Sequence, residues 1–333
     1  MQKDLENCKL CAWECGVDRQ AGEYGVCLQG LPEIASCQLH PAPPQSYTVF
    51  LAACNFKCLN CQNWEIAHYP VTNAPIRGQV NPEIIAQEGV SAIHSITGRL
   101  IHADRFFFSG GSPTVSLPWI EEVISHGRSL DSTIKVNFDT NGFPSKESFC
   151  RILAFSDSIT FDLKAISDDI HRALTGAPVE PVLKNAETMA RYARKLWEFR
   201  ILVIPSIVDV EEIQLICEFI ASLDETLPVC FLAFRPNYCL DSHPGAPQKL
   251  MEQCLAIAQK NDLENSHWAG QTGLKRRGIA NSHGYHQKDA KGGAKTAMHY
   301  ASRAGCMMDL RSCGQCISKL ECQLKAHVPS KTL

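Results

Sequence analysis

The chain has 333 residues and a formal net charge of −3 at pH 7, which gives no electrostatic basis for binding nucleic acid. No apolar run approaches the ~20 residues that a membrane-spanning helix needs, and the polar N-terminus lacks the apolar segment of a signal peptide. We therefore expect a cytoplasmic protein with no nucleic-acid or membrane partner. The chain contains 17 cysteines, and their short spacings indicate metal binding rather than disulfides.

The composition divides the chain into three segments. Residues 1–47 are rich in Cys, Gly and Pro, and we predict a small metal-binding segment there. Residues 48–262 alternate β-type runs with amphipathic stretches and form the predicted core. Residues 263–333 are polar and Gly-rich before they become Cys-rich again, which predicts a C-terminal extension able to hold an auxiliary iron–sulfur site.

The core segment predicts strands and helices in strict alternation. Pro82 suits the first turn of a helix and Ser145 suits an N-cap. The predicted order is strand 48–53, helix 82–96, strand 105–109, helix 118–127, strand 134–138, helix 145–154, strand 158–163, helix 182–196, strand 198–204, helix 210–223, strand 228–234 and helix 248–259. Six βα units predict an α/β fold with a parallel sheet and outer helices, and periodicity alone leaves open a barrel or an open doubly wound sheet.

Residues suited to a site follow or lie within the predicted strands. In parallel barrels the chemistry lies on loops at the C-terminal ends of strands, so this placement favours a barrel. The residues are Cys54, Cys58 and Cys61 after the first strand, Gly110, Gly111 and Ser112 after the second, Asn141 after the third, Lys164 after the fourth and Arg200 within the fifth.

Cys54, Cys58 and Cys61 form the pattern C-x3-C-x2-C directly after an apolar run. Three thiolates can hold three irons of a 4Fe–4S cluster and leave the fourth iron without a protein ligand, which is an open position for chemistry. A zinc knuckle or free thiols are the alternatives. Zinc prefers four ligands, and no further Cys or His follows closely except His68.

This spacing resembles the radical S-adenosylmethionine (radical SAM) superfamily. The resemblance implies a partial (βα)6 TIM-like barrel with small Cys-rich N- and C-terminal extensions. It also implies that the open iron chelates SAM and that the reduced cluster cleaves SAM to a 5′-deoxyadenosyl radical. Asn60 stands where the family usually has an aromatic residue, so adenine binding is expected to fall to Phe56 or Trp64.

Other loops carry the resemblance further. Gly110-Gly111-Ser112-Pro113 resembles the GGEP element whose backbone holds the SAM amino group, with Ser112 in place of Glu. The segments at 139–142 and 162–164 resemble those of glycyl-radical-enzyme activases, which implies that Asn141, Lys164 and Arg200 contact the SAM carboxylate or ribose. The alternatives are ordinary βα turns and solvated charges.

Two further cysteine groups lie near the chain ends. Cys8, Cys11, Cys15 and Cys27 can ligate zinc or an iron–sulfur cluster, and this block resembles homologues of the pyruvate formate-lyase-activating enzyme that carry an N-terminal cysteine block. At the other end the cysteines resemble the auxiliary-cluster segment called SPASM, with zinc or unligated thiols as alternatives. The members of this second group are Cys306, Cys313, Cys316 and Cys322.

The expected cofactors are a 4Fe–4S cluster and SAM, with zinc or additional 4Fe–4S clusters at the chain ends. The resemblance implies hydrogen abstraction from an unknown protein, peptide or small-molecule substrate, as in the activases, with ferredoxin or flavodoxin as electron donor. One alternative is a peptide- or protein-modifying oxidase or transferase that uses auxiliary clusters. The other is a non-catalytic iron–sulfur carrier or zinc-binding interaction protein.

Overall fold

A computed structural model describes residues 2–272, 292–318, 321, 322 and 324. The remainder of the predicted C-terminal extension lies outside the described residues. The chain divides into two compact units. The first comprises Met1–Asn55 with Asn63–Thr160, and the second comprises Phe56–Gln62 with Phe161–Leu333.

The fold is α/β, as predicted. Eight strands follow one another in the sheet in the order in which they occur along the chain. They are β1 (Ile34–His40), β2 (Ser46–Leu51), β3 (Arg105–Gly110), β4 (Lys135–Thr140), β5 (Ser158–Asp162), β6 (Leu196–Val203), β7 (Val229–Ala233) and β8 (Ser266–Ala269). Strand β1 is antiparallel to β2, whereas β2, β3 and β4 pair in parallel, as do β6, β7 and β8.

Polar side chains cap the starts of two longer helices in the first unit. Asn81 accepts a hydrogen bond from the Glu83 amide, with Pro82 at the first position, and Ser145 accepts one from the Ser148 amide. The helices of this unit are α1 (Gln2–Glu6), α2 (Trp64–Ala67), α3 (Pro82–His94), α4 (Ile96–Leu100), α5 (Leu117–Leu130) and α6 (Lys146–Phe155).

The core of the first unit lies between β3 and the helices that follow β2 and β3. Phe106 is fully buried and faces Gly89 of α3 and Gly127 of α5. A Cβ at either glycine would overlap the Phe106 ring, so both helices pack on β3 at close range. Because side chains alternate along a strand, Ser109 lies on the opposite face of β3 from Phe106 and Phe108.

The second unit repeats this organisation. Its helices are α7 (Asp168–Thr175), α8 (Glu180–Ala190), α9 (Val210–Leu223), α10 (Gln248–Lys260) and α11 (Gly293–Arg303). Along β6, Phe199 and Ile201 are fully buried, whereas Glu198 and Arg200 on the other face are half-buried. Helix α7 ends at Gly176, whose φ of +82° is a left-handed conformation that glycine adopts without a steric cost.

All six predicted strands correspond to β2 through β7. The predicted core helices are present near their expected bounds except helix 182–196, which ends at Ala190 as α8, because the chain turns there and Leu196 begins β6. Sequence analysis did not predict β1, β8, α1, α2, α4, α7 or α11. In the described part of the chain, no helix is both long and apolar enough to span a bilayer.

Candidate functional site

The cysteine loop begins with an unusual backbone conformation. Ala53, buried directly after β2, has a φ of +63°, which is uncommon for a residue other than glycine. Its amide donates to the Ile66 carbonyl at 2.9 Å, and this contact holds the turn. Cys54 follows the turn and is buried. The chain therefore changes direction at Ala53 and enters the predicted cluster motif.

The predicted Gly-Gly loop packs on this turn. The Gly111 amide donates to the Leu51 carbonyl at 2.8 Å, and the Ser112 amide donates to the Ala53 carbonyl at 2.9 Å. A Cβ at Gly111 would overlap the Ala53 carbonyl, and one at Gly110 would meet the Leu51 backbone. Only glycine fits these two positions, because the neighbouring backbone is in direct contact.

The Ser112 side chain is buried without a protein partner. Its Oγ has no hydrogen-bond partner among the described residues, although the residue is only 2% exposed. Leaving a buried hydroxyl unsatisfied has a free-energy cost, and such an atom is a natural contact for a polar ligand. The carbonyl of neighbouring Gly110 accepts a hydrogen bond from Asn63 Nδ2 at 3.0 Å.

Asn141 contacts a residue that sequence analysis did not single out. Its Nδ2 donates to Asn55 Oδ1 at 2.7 Å, and its Oδ1 accepts from the Phe143 amide at 3.2 Å. Asn55 is fully buried, and its own Nδ2 has no partner in the part of the chain that the structure describes. The structure thus brings Asn141 to the residue next to Cys54. The sequence feature that could have pointed to Asn55 was its amide side chain within the cysteine motif.

The four cysteines of the N-terminal block lie together within the first unit. Its four cysteines line a small cavity together with Trp13, Arg19, Gly25 and Val115 among others; the cysteines are Cys8, Cys11, Cys15 and Cys27. Burial raises the pKa of the Cys11 thiol well above its usual range, and the other three thiols raise it further. A Cβ at Gly25 would lie 2.8 Å from Cys15 Sγ, so the glycine makes room for that sulfur.

This block also contacts the motif loop. Trp13 Nε1 donates to the Asn55 carbonyl at 2.8 Å, and the Trp13 ring lies 5.2 Å from the Phe143 ring. Buried Arg19 donates to the carbonyls of Gly30 and Val115. The N-terminal segment is therefore attached to the backbone beside Cys54 by the Trp13 hydrogen bond.

In the second unit, residues 56–62 are bound to the end of α7. The Lys57 amide donates to the Thr175 carbonyl at 2.8 Å, and the Leu59 amide donates to the Leu174 carbonyl at 3.0 Å. The last carbonyls of a helix have no partner inside the helix. The loop that carries Cys58 and Cys61 supplies those partners.

Arg311 completes this contact from the C-terminal segment. It is fully buried, and its guanidinium donates to the carbonyls of Ala173 at 2.8 Å, Leu174 at 3.1 Å and Lys57 at 2.5 Å. One side chain thus joins the end of α7 to the backbone before Cys58. Sequence analysis missed Arg311 because nothing local distinguishes it from a solvated charge.

The C-terminal cysteines lie next to Arg311. The Cys313 amide donates to the Gly176 carbonyl at 2.9 Å, and Cys313 Sγ lies against Gly176. Burial raises the pKa of the Cys313 thiol, and nearby Cys322 and Cys306 raise it further, whereas Arg311 lowers it. Cys306 and Cys322 therefore each lie near Cys313, and Cys316 is half-buried.

Lys164 and Arg200 each form an ion pair with the acid that lies two residues earlier in the sequence. Lys164 Nζ lies 2.6 Å from an Asp162 oxygen, and Arg200 Nε lies 2.6 Å from a Glu198 oxygen. Phe56, the residue predicted at adenine, is 2% exposed, with its ring edge-on to His171 at 5.4 Å. The roles of Lys164, Arg200 and Phe56 toward SAM stay predictions.

The chain is similar to several known proteins. The family model of the radical SAM superfamily matches residues 48–220. An uncharacterised protein of Methanocaldococcus jannaschii is 27% identical over 259 residues, which cover 75% of this chain and 71% of that protein. The pyruvate formate-lyase-activating enzyme of Staphylococcus epidermidis is 29% identical over 198 residues, covering 55% of this chain and 71% of the enzyme.

Two solved structures are also similar. A domain of pyruvate-formate lyase-activating enzyme from Bacteroides vulgatus has a TM-score of 0.40 at 25% identity and covers 49% of this chain and 98% of that domain. Streptococcus suis SuiB bound to S-adenosylmethionine has a TM-score of 0.47 at 17% identity and covers 65% of this chain and 48% of that one. The family match spans more than half of the sequence and includes all three motif cysteines, and the chain belongs to the radical SAM superfamily.

Proposed function

We propose that this chain is a radical SAM enzyme that reductively cleaves SAM to a 5′-deoxyadenosyl radical and abstracts hydrogen from a protein, peptide or small-molecule substrate. One observation carries the proposal. The loop of the three motif cysteines begins at a buried turn that is hydrogen-bonded to the Gly-Gly loop, as a site for a cluster and SAM requires.

The donor set fits the cofactors that the family implies. Cys54, Cys58 and Cys61 would hold three irons of a 4Fe–4S cluster, which leaves one iron for SAM. When bound, the cluster supplies the electron for SAM cleavage. In the first unit, the buried Ser112 Oγ and Asn55 Nδ2 are left for a polar ligand.

The polypeptide has three tasks in this proposal. The burial of Cys54 and Cys58 would keep water away from the cluster. Gly110 and Gly111 keep the βα loop close to the turn before Cys54. Asn141 Nδ2 donates a hydrogen bond of 2.7 Å to Asn55 Oδ1 and so fixes the orientation of the Asn55 side chain. Each task is one of binding or positioning, because the cofactor supplies the difficult chemistry.

We further propose that the two terminal cysteine groups bind iron–sulfur clusters. Zinc–sulfur bonds of about 2.3 Å place four tetrahedral sulfurs roughly 4 Å apart. Within the described residues, no three cysteine sulfurs lie within 4.8 Å of one another; the group that meets this distance is Glu198, Cys230 and His267. In a cubane cluster each thiolate binds a different iron, so its sulfurs lie farther apart than the sulfurs on one zinc ion, and the described cysteines show no trio at the zinc spacing.

The substrate class has two candidates. Similarity to pyruvate formate-lyase-activating enzymes supports activation of a protein by hydrogen abstraction. The proximity of Cys306 and Cys322 to Cys313, whose amide donates to the Gly176 carbonyl directly after α7, favours the second candidate, a peptide- or protein-modifying enzyme with an auxiliary cluster. In both cases we propose ferredoxin or flavodoxin as the reductant and a cytoplasmic location.

The test is SAM cleavage by the anaerobically reconstituted full chain with a chemical reductant. We expect 5′-deoxyadenosine from the wild type and none from the variant with Cys54, Cys58 and Cys61 all replaced by Ala. Cys150→Ala is the control, because Cys150 is exposed on α6 outside every cysteine group. Cleavage that persists in the triple variant would refute the motif assignment. An iron-loaded wild type that leaves SAM intact would favour the electron-carrier alternative.

A further inference from the structure

Three side chains on neighbouring strands of the second unit converge outside the cysteine groups. Glu198 on β6, Cys230 on β7 and His267 on β8 each place one ligand atom within 4.8 Å of the other two. Cys230 lies opposite His267 in the parallel pair β7–β8. In the pair β6–β7 it lies opposite Arg200, and Arg200 is two residues after Glu198. Because side chains alternate in a strand, the three lie on one face of the sheet. We name them the strand triad.

The donor chemistry of the strand triad is that of a zinc ligand set. Thiolate sulfur, imidazole nitrogen and carboxylate oxygen are the three donor types that zinc binds in proteins, and three protein ligands leave a fourth position for water. Glu198 and a deprotonated Cys230 together carry two negative charges, which match the charge of Zn²⁺. We propose that Glu198, Cys230 and His267 bind one zinc ion per chain.

The surroundings support this assignment. Arg200 Nε donates to one Glu198 oxygen at 2.6 Å. A carboxylate has two oxygens, so this hydrogen bond leaves the other oxygen for a metal and fixes the orientation of the group, as partners of metal-ligating carboxylates do.

The position of the triad indicates what the metal does. Its members lie near the starts of β6, β7 and β8, whereas the predicted cluster ligands and the Gly-Gly loop lie at or beyond the ends of their strands. Arg200, also predicted to contact SAM, lies level with Cys230. In parallel barrels the start of the strands contributes to stability rather than to catalysis. Strand β8 has four residues, and a metal at His267 fastens this short strand to β7 and β6.

The experiment uses the full chain with its iron–sulfur clusters reconstituted. The protein is dialysed against a zinc solution, and loosely bound metal is then removed. Zinc is counted by elemental analysis, and its ligands are read from zinc X-ray absorption. We expect one zinc per chain with one sulfur and otherwise nitrogen or oxygen neighbours. Zinc should also raise the Tm of the protein.

Cys230→Ala and His267→Gln should each lose this zinc and its Tm increase while iron content stays unchanged. The matched controls, which should keep both, are Cys254→Ala, a buried thiol on α10, and His126→Gln, an exposed imidazole on α5. His267 is exposed, so its variant should fold. Three results would each overturn the proposal: equal zinc content in wild type and His267→Gln, zinc surrounded only by sulfur, or no bound zinc in the wild type.

Discussion

Replacing Arg311 tests whether the C-terminal segment holds the cysteine loop. Its guanidinium is fully buried and donates to the carbonyls of Lys57, Ala173 and Leu174. Lys57 directly precedes Cys58, a predicted cluster ligand. We therefore expect substitution of Arg311 to loosen the backbone of the cluster motif as well as the end of α7.

The magnitude follows from the three contacts. A hydrogen bond from a charged donor contributes about 1.5–3 kcal/mol, and a buried carbonyl left without a donor costs about 1–3 kcal/mol. Water entering the vacated space satisfies part of this loss. For Arg311→Ala we expect the free energy of unfolding to fall by about 3–5 kcal/mol, as when one partner of a buried charged contact is removed. Arg311→Lys should lose about 1–3 kcal/mol, because one ammonium replaces a planar fork of donors.

Two measurements separate a local effect from a general one. Denaturant unfolding gives the free-energy change, and hydrogen exchange of the peptide covering residues 56–62 reports on the amides of Lys57 and Leu59, which donate to the end of α7. We expect faster exchange in this peptide and lower iron retention after reconstitution. Both effects should be larger in Arg311→Ala than in Arg311→Lys.

Arg303→Ala is the matched control, because Arg303 is an exposed arginine at the end of α11 in the same segment. We expect a change within about 0.5 kcal/mol for this surface substitution. If Arg311→Ala matches Arg303→Ala in stability, exchange and iron content, Arg311 does not position the loop. A stability loss with normal exchange and full iron content would mean that its role is confined to α7.

Three other substitutions test separate parts of the structure. Gly111→Ala should destabilise the protein by about 1–3 kcal/mol and weaken SAM binding in equilibrium dialysis, because its Cβ would overlap the Ala53 carbonyl; Gly30→Ala meets only ordinary contacts and should change neither. Cys11→Ser should lower the iron content per chain while SAM cleavage still depends on the motif cysteines; unchanged iron would argue against a cluster in the N-terminal block. Burial lowers the pKa of His171 to about 4 from 6.5, so the unfolded chain binds more protons between these values and stability should fall by about 3 kcal/mol as pH drops from 6.5 to 4. His171→Gln should remove that component, and parallel pH profiles for the two proteins would contradict it.

The secondary structure of the core was predictable because its signals are local. The Asn81-Pro82 start of α3 and the Ser145 cap of α6 were readable as residue types and were confirmed by their hydrogen bonds. Helix α7 was missed although Gly176 provides an ordinary C-terminal signal. Strand β8 has four residues, which is too short for the period of a strand to be recognised.

The site was predictable only where one short segment carries it. The spacing of Cys54, Cys58 and Cys61 predicted the motif, and the family match includes it. The contact of Arg311 with Lys57 joins residues 254 positions apart, so no window of sequence contains both partners. Asn55 was overlooked for a different reason, because its importance comes from complete burial, which a neighbouring cysteine does not reveal.

The two cysteine-rich ends of this chain both contact the motif loop, and that fact bears on what the enzyme does. In the first unit Trp13 binds the carbonyl of Asn55, and in the second Arg311 binds the carbonyl of Lys57, two positions later in the sequence. The Cys313 amide donates to the Gly176 carbonyl. The carbonyl of Thr175, the residue before Gly176, accepts a hydrogen bond from the Lys57 amide. A metal held by Cys313 would thus be linked to the backbone beside Cys58 through two hydrogen bonds and a few covalent bonds. We expect the reaction of this chain to depend on these ends because they contact the loop of the predicted cluster ligands, and a redox role for the C-terminal group is the simplest use of such a connection.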